Sequence, residues 1–263
     1  MNIIRPSAIT RRLRSVLFTL FNRLENNNDA RFDANGEARF LHDLLGGFRG
    51  AVTLFDVGAN VGEYSDILVR GCRERSLPYT VHAFEPTRSC FSRLTERFSA
   101  DPGVRLNNVG VSDAAVETEI FYDAERSGFA SLYRRDLSSL QVRMDRSERI
   151  RLVRLDDYIR SANVTGIDLL KIDIEGHEMA AFRGMGEYLD AGFVKAVQFE
   201  YGGANLDART TLQDLYALLE SRGFVIVKLM RRGAERRPYA LAMENYQYGN
   251  FAALSPKQFP ELG

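Results

Sequence analysis

Three apolar runs in this chain each end in acidic residues, and their spacing outlines a binding and reaction centre. The first, Leu54-Phe55-Asp56-Val57-Gly58-Ala59-Asn60-Val61-Gly62, is a short strand leading into an acidic, glycine-studded turn. Gly58 and Gly62 leave room for a bound group to approach the backbone, and the turn opens onto a helix whose first N–H groups are unpaired. The second run, Thr80-Val81-His82-Ala83-Phe84, stops at Glu85-Pro86. An acid at the tip of the second strand of a βαβ unit is placed to accept hydrogen bonds from the ribose hydroxyls of an adenosine. The third run is Ile167-Asp168-Leu169-Leu170-Lys171-Ile172-Asp173-Ile174-Glu175-Gly176-His177-Glu178. Strand alternation puts Lys171 and Asp173 on one side, with Asp173 at the tip facing the first turn and Glu175 to His177 turning into a helix.

The kind of adenosine ligand follows from the first loop. A dinucleotide fingerprint requires G-x-G-x-x-G, and Asn60 stands where the second glycine belongs, so a pyrophosphate has no close backbone seat. S-adenosylmethionine, which carries no phosphate, suits the loop better. Two rival readings are a nicotinamide enzyme, which Asn60 disfavours, and a non-catalytic module that binds S-adenosylmethionine without turnover, which Asp173 and Glu175 disfavour.

These residues need a parallel sheet to bring them to one rim, and the pattern supplies one. After helices over 9–24 and 35–48, strands are expected at 52–56, 80–84, 104–111, 167–172, 196–199, 224–229 and 250–254. Helices at 63–75, 88–99 (with Thr87 as N-cap), 178–189 and 208–222 alternate with them, in the manner of an α/β fold. The segment 117–154 interrupts the rhythm with extra strands at 119–122 and 150–153 and reads as an insertion beside the site. A long loop over 230–249 follows the sixth strand.

At 263 residues, 45% hydrophobic and 27% charged, the chain suits one sizeable core. We take 1–50 as an N-terminal helical extension and 51–263 as the main domain. Lys plus Arg and Asp plus Glu number 35 each, so no global field draws the chain to nucleic acid. Cys72 and Cys90 show neither metal-ligand nor disulfide-framework spacing, which fits a reducing cytoplasm. No apolar run reaches the length of a membrane span. The first helix, with Leu13, Val16, Leu17, Leu20, Phe21 and Leu24 at helical spacing among Arg11, Arg12, Arg14 and Arg23, could pack on the domain or on a second copy in a homo-oligomer, or lie peripherally on a membrane.

Taken together, Asp56 to Gly62, Phe84-Glu85-Pro86, Val111-Ser112-Asp113, Leu155-Asp156-Asp157 and Leu170 to Gly176 resemble the FkbM-type S-adenosylmethionine-dependent methyltransferases over about Val52 to Phe199. The resemblance implies a class I methyltransferase fold (Rossmann-like): a seven-stranded, mostly parallel sheet with helices on both faces and one antiparallel strand near an edge. It also implies O-methylation of a hydroxyl on a sugar or related small metabolite. It assigns Gly58, Asn60 and Gly62 to the methionine part of the cofactor with Asp56 nearby, Glu85 to the ribose, and Ser112 with Asp113 to the adenine. Asp173 and Glu175 match its acidic signature, whereas Glu200-Tyr201-Gly202-Gly203 departs from an expected Glu-aromatic-His, so a histidine base is not available there.

Methyl transfer to a hydroxyl requires that its proton be taken up. Asp173 is the expected base, with Lys171 and Glu175 in the catalytic group. Alternatively Asp173, Glu175 and His177 hold a divalent metal. Arg231 and Arg232, with Arg236 and Arg237, offer forked grips for phosphate, and Tyr239, Tyr246 and Tyr248 offer faces for a sugar ring. These residues point to an anionic carbohydrate acceptor such as a nucleotide sugar or a lipid-linked glycan.

Overall fold

Leu54 and Phe55 are neighbours in sequence, both fully buried, yet they belong to different hydrophobic cores. That is the mark of a strand covered on both faces. A computed structural model of the chain describes residues 5–259. Its strands are β1 (Val52–Val57), β2 (Tyr79–Phe84), β3 (Val104–Asn107), β4 (Gly110–Val111), β5 (Val116–Tyr122), β6 (Arg146–Val153), β7 (Leu169–Ile172), β8 (Ala196–Tyr201), β9 (Val225–Met230), β10 (Gly233–Arg236) and β11 (Gly249–Leu254). Its helices are α1 (Ala8–Leu24), α2 (Glu37–Gly47), α3 (Glu63–Glu74), α4 (Arg88–Phe98), α5 (Leu155–Ser161), α6 (Glu178–Arg183), α7 (Gly203–Asp207) and α8 (Leu212–Ser221).

The main sheet runs β3-β2-β1-β7-β8-β11-β9-β10. β1 pairs in parallel with β2 and β7, β2 with β3, and β7 with β8, while β11 is antiparallel to both its neighbours. On one face α2, α3 and α4 contribute Leu41, Leu45, Leu68, Leu94 and Phe98. On the other, α5, α6 and α8 contribute Leu155, Phe182, Leu215 and Leu219. The strand order reverses between β1 and β7, the switch point at which ligands bind in open α/β sheets.

Several expectations change. The sheet has eight strands rather than seven, because Gly233–Arg236 folds back from the expected loop as an antiparallel edge strand on β9. The strand expected over 104–111 breaks: Asn108 turns its amide onto the carbonyls of Glu85 and Pro86 at 2.9 and 3.1 Å, and β4 leaves for a separate three-stranded sheet with β5 and β6. α6 ends at Arg183, and at the next residue, Gly184, a Cβ would lie 2.0 Å from the Ser112 carbonyl oxygen. Thr87 precedes α4 as expected but does not cap it with its side chain; its hydroxyl is drawn to Glu85. Within the first fifty residues, Phe40, Leu41, Leu44, Leu45 and Phe48 pack into the main core.

The turn after β1 shows why glycine is needed there. Gly58 has φ +85°, and a Cβ would sit 1.9 Å from the carbonyl oxygen of Asp173 at the end of β7. Its lack of a side chain lets the backbones of the two central strands' turns touch. Gly58→Ala is expected to lower unfolding free energy by at least about 2 kcal/mol, through a disallowed φ and a backbone clash together. Urea denaturation of the purified variant measures it; an unchanged midpoint would contradict this packing.

Candidate active site

A cavity of about 410 Å³ opens beyond the ends of β1, β2 and β7. Its apolar side is built by Phe84, Val109, Val111, Ile120, Ile150 and Leu152, so the small sheet of the insertion serves as one of its walls. Its polar side carries the backbone of Gly58, Ala59 and Asn60 together with Glu85. Glu85 is buried, and its carboxyl accepts from the Asn60 N–H at 2.9 Å, the Thr87 N–H at 2.8 Å and the Thr87 hydroxyl at 2.5 Å. Burial raises its pKa, opposed by these donors. Asn60 takes the left-handed conformation at φ 48° and donates its side-chain amide to the Ser127 carbonyl at 3.2 Å. Its Oδ1 is buried with no hydrogen-bond partner among the described residues. An adenosine fits this lining: an apolar slot for the base, a carboxyl for the ribose and an orphaned acceptor in the loop.

Not every expected cofactor residue reaches the cavity. Gly62 stands at φ +86° against α4, where a Cβ would meet Leu94 and Phe98 at 2.7 Å, and it is absent from the lining. Ser112 and Asp113 are also outside it, because the break after β3 shifts the wall to Val109-Gly110-Val111. The Ser112 hydroxyl instead bonds His177 Nε2 at 2.8 Å and donates to Asp113 at 3.2 Å. Asp56 lies fully buried beneath the loop, accepting from the Ser65 hydroxyl at 2.6 Å.

Register decides what surrounds Asp56. It pairs across the sheet with Lys171, and Lys171 with Gln198, which lines up one side chain from each of β1, β7 and β8 on the face covered by α3. The Lys171 ammonium lies 3.6 Å from Asp56 and 3.2 Å from Asp173, above the ring of Tyr64 at 4.9 Å. Burial alone would depress its pKa, but Asp173, Asp56 and Glu37 outweigh it and raise it. Gln198 links onward, accepting from the Tyr64 hydroxyl and donating to Glu37, both at 2.6 Å.

Past this row lies a second cavity, of about 220 Å³, walled by Phe32, Glu37, Gln198, Tyr248 and Asn250. The two cavities share Glu63, Tyr64, Lys171, Asp173 and Glu200. Glu200 and Glu37 were not singled out for the site from the sequence; strand parity after Gln198 could have flagged the former, whereas Glu37 arrives from a distant helix. Burial, then the charges of Asp173, Glu175, Glu178 and Glu37, push the Glu200 carboxyl well above its ordinary range.

The turn after β7 is held by its own acids. Glu175, at φ 52°, forms an ion pair with Arg135, which also reaches Asp207 at 3.2 Å. Burial and Asp173 nevertheless raise Glu175 to about 8. Glu178, fully enclosed, accepts the N–H groups of Ile174 and Gly176 at 3.1 Å and is raised by burial to about 7. His177, lowered by burial, has its ring nitrogens engaged by the hydroxyls of Ser112 and, at 3.0 Å, Tyr133. Asp173, Glu175 and His177 therefore do not converge as a ligand set, and no group of three or more His, Cys, Asp or Glu side chains suited to a metal ion occurs among the described residues.

Of the 230–249 segment, only Tyr248 lines the second cavity. Arg231 is turned to Asn26 at 3.3 Å and Asp29 at 3.1 Å, and Arg237 pairs with Glu25 and Glu235. Arg232 is exposed and lines neither cavity. Tyr246 packs on Tyr201 and Tyr239 on Tyr216, with the Tyr239 hydroxyl donating to Glu244. These side chains fasten the segment to the N-terminal region and to the core rather than overhanging the site.

Sheet order, the loop after β1, the acid after β2 and the acids after β7 define a class I S-adenosylmethionine-dependent methyltransferase domain. The model of the methyltransferase FkbM domain matches residues 56–226, and the chain belongs to that family. It is 29% identical over 154 residues to the hexuronic acid methyltransferase AglP of Haloferax volcanii, covering 58% of each chain. It is 28% identical over 219 residues to the 31-O-demethyl-FK506 methyltransferase FkbM of Streptomyces tacrolimicus, covering 74% of this chain and 78% of that one. The crystal structure of a methyltransferase FkbM from Methylobacillus flagellatus superposes with a TM-score of 0.51 at 16% identity, over 93% of this chain and 59% of that one. The chain thus spans less than two thirds of AglP and of the Methylobacillus protein.

Two measurements probe this geometry. Glu85→Gln, which keeps the shape and removes the charge, is expected to weaken S-adenosylmethionine binding by about 1.5–3 kcal/mol in calorimetric titration; equal affinity would take Glu85 out of the site. Glu178 binds its proton more tightly folded than unfolded, so the stability this proton confers is complete below about pH 4.5 and is lost as pH rises through about 7. The melting temperature of Glu178→Gln should therefore gain on that of the parent between pH 5 and pH 7.5, and parallel curves would argue against a raised pKa.

Proposed function

We propose that this protein is an S-adenosylmethionine-dependent O-methyltransferase whose acceptor is a hydroxyl of a carbohydrate or similarly polyhydroxylated molecule. The observation that carries the reading is the pair of cavities meeting at Lys171, Asp173 and Glu200. One has the lining an adenosine needs. The other is walled by hydrogen-bonding groups, Glu37, Gln198, Asn250 and the Tyr248 hydroxyl, with Phe32 as an apolar face, a combination suited to a sugar ring. The likeness to a hexuronic acid methyltransferase and to an O-demethyl-FK506 methyltransferase supports hydroxyl chemistry in the same family.

Bound S-adenosylmethionine supplies a methyl group on a positively charged sulfur, which becomes a neutral thioether when the methyl leaves. The chain must hold the acceptor oxygen in line and remove its proton as the carbon–oxygen bond forms. Asp173 takes that proton. It stands on the wall common to both cavities, and Lys171 fixes its carboxylate at 3.2 Å. Glu200, protonated because burial and four neighbouring acids raise its pKa, donates a hydrogen bond to the acceptor from the other side of that wall. Lys171 positions the carboxylates and does not act as a base, its pKa being raised.

The walls also bear on which carbohydrate. Its one cation, Lys171, is already paired with Asp56 and Asp173, so the second cavity offers no free positive charge to an anionic group at the reacting ring. Neutral sugars, or glycans whose phosphate lies remote from the methylated ring, are the favoured class over hexuronic acids.

Three outcomes are expected from assays with labelled cofactor on a panel of neutral sugars, uronic acids, nucleotide sugars and lipid-linked glycans. Neutral rings should be methylated and uronic acids not. Asp173→Asn should cut kcat about a hundredfold or more with cofactor affinity within a few fold, whereas Glu200→Gln, which still donates, should cost less; the reverse order would make Glu200 the base. EDTA should leave activity intact, and loss restored by magnesium would bring a metal into the mechanism.

A further inference from the structure

Helix α1 is the largest feature that the methyl-transfer site leaves unexplained. It runs seventeen residues, about 25 Å, and none of its side chains is buried. Ile9 is 80% exposed and Leu24 67%, with Leu13, Val16, Leu17 and Leu20 between them all more than half exposed. Their spacing, i, i+4, i+7, i+8, i+11 and i+15, places them on one face. Arg12 and Arg23 fall along one border of that face and Arg14 along the other, while Arg11, Ser15 and Asn22 occupy the far side. The helix contains no acidic residue.

A cover for this face must tolerate three cations along its borders. A second copy of the helix does not, since a two-fold pairing sets arginines against arginines with no acid between them. An anionic lipid surface does: the leucine stripe enters the interface and the flanking guanidinium groups meet phosphate at headgroup level. No described helix is long and apolar enough to cross a membrane, so the contact is peripheral.

The root of α1 is rigidly joined to the domain. Glu25 pairs with Lys228 at 3.4 Å and with Arg237, the Asn26 amide donates to the carbonyls of Asn35 at 2.6 Å and Leu229 at 2.9 Å, and the Asn28 N–H donates to the Tyr248 carbonyl at 2.9 Å. Tyr248, Phe32 and Glu37, which this segment carries or touches, wall the second cavity. We propose that α1 is an interfacial helix that binds the protein to anionic phospholipid surfaces and holds the rim of the second cavity close to them.

Flotation of the full chain with vesicles tests this without needing a methyl acceptor. Binding is expected to equimolar phosphatidylcholine and phosphatidylglycerol, not to phosphatidylcholine alone, and should fade with added salt. Leu13→Glu with Leu17→Glu should weaken it about tenfold or more, and each Arg→Ala change at 12, 14 or 23 about fivefold. Because α1 buries nothing, these variants should keep the parent's thermal shift with S-adenosylmethionine, which separates loss of docking from loss of fold. The proposal is overturned if the parent stays unbound with anionic vesicles, if the leucine variant floats as well as the parent, or if sedimentation equilibrium finds a stable dimer that the leucine substitutions dissociate in place of any vesicle binding.

Discussion

The ammonium of Lys171, enclosed between Asp56 and Asp173 at the switch point of the sheet, is the contact on which the rest of the site depends. Two carboxylates at the ends of adjacent strands would repel one another in a poorly solvated space, and a buried charge left alone costs several kcal/mol. One lysine at the register position between them resolves both problems. It also fixes Tyr64 through its ring and, through Gln198, reaches Glu37 on α2. The floor of the cofactor cavity and the wall of its neighbour are therefore parts of a single polar chain that crosses three strands.

Around that chain acids outnumber cations. Glu175, Glu178 and Glu200 crowd the same rim, and each has its carboxyl pushed upward chiefly by burial. Backbone N–H groups serve Glu178, and Arg135 serves Glu175. Arg135 comes from the segment inserted between β5 and β6. That insertion therefore does two things at once, closing the apolar side of the cofactor cavity and clamping the acidic turn after β7.

Much of this was legible in the sequence because strand tips are local: Asp56, Glu85 and Asp173 each end an apolar run, and parity alone put Lys171 beside Asp173. The order of strands followed from alternation. What escaped depends on contacts distant in sequence. Ser112 and Asp113 lie off the cavity because one asparagine side chain, that of Asn108, breaks the third strand and redirects the wall. Gly62 looks like a ligand seat, yet the atoms nearest its missing side chain belong to α4, whereas Gly58 both lines the cavity and presses on Asp173. The loop arginines read as an anion grip because nothing in their own segment reveals that Glu25 and Asp29, some two hundred residues earlier, lie within reach.

The surplus of acid at the shared rim bears on how a catalytic cycle ends. A sulfonium carries a positive charge and the thioether left after transfer does not, so the two differ little in shape but by a full unit of charge in their attraction to the Asp173 carboxylate. A site of this polarity holds the charged donor more tightly than its spent form. The same carboxylate that takes up the proton would thereby favour exchange of used cofactor for fresh.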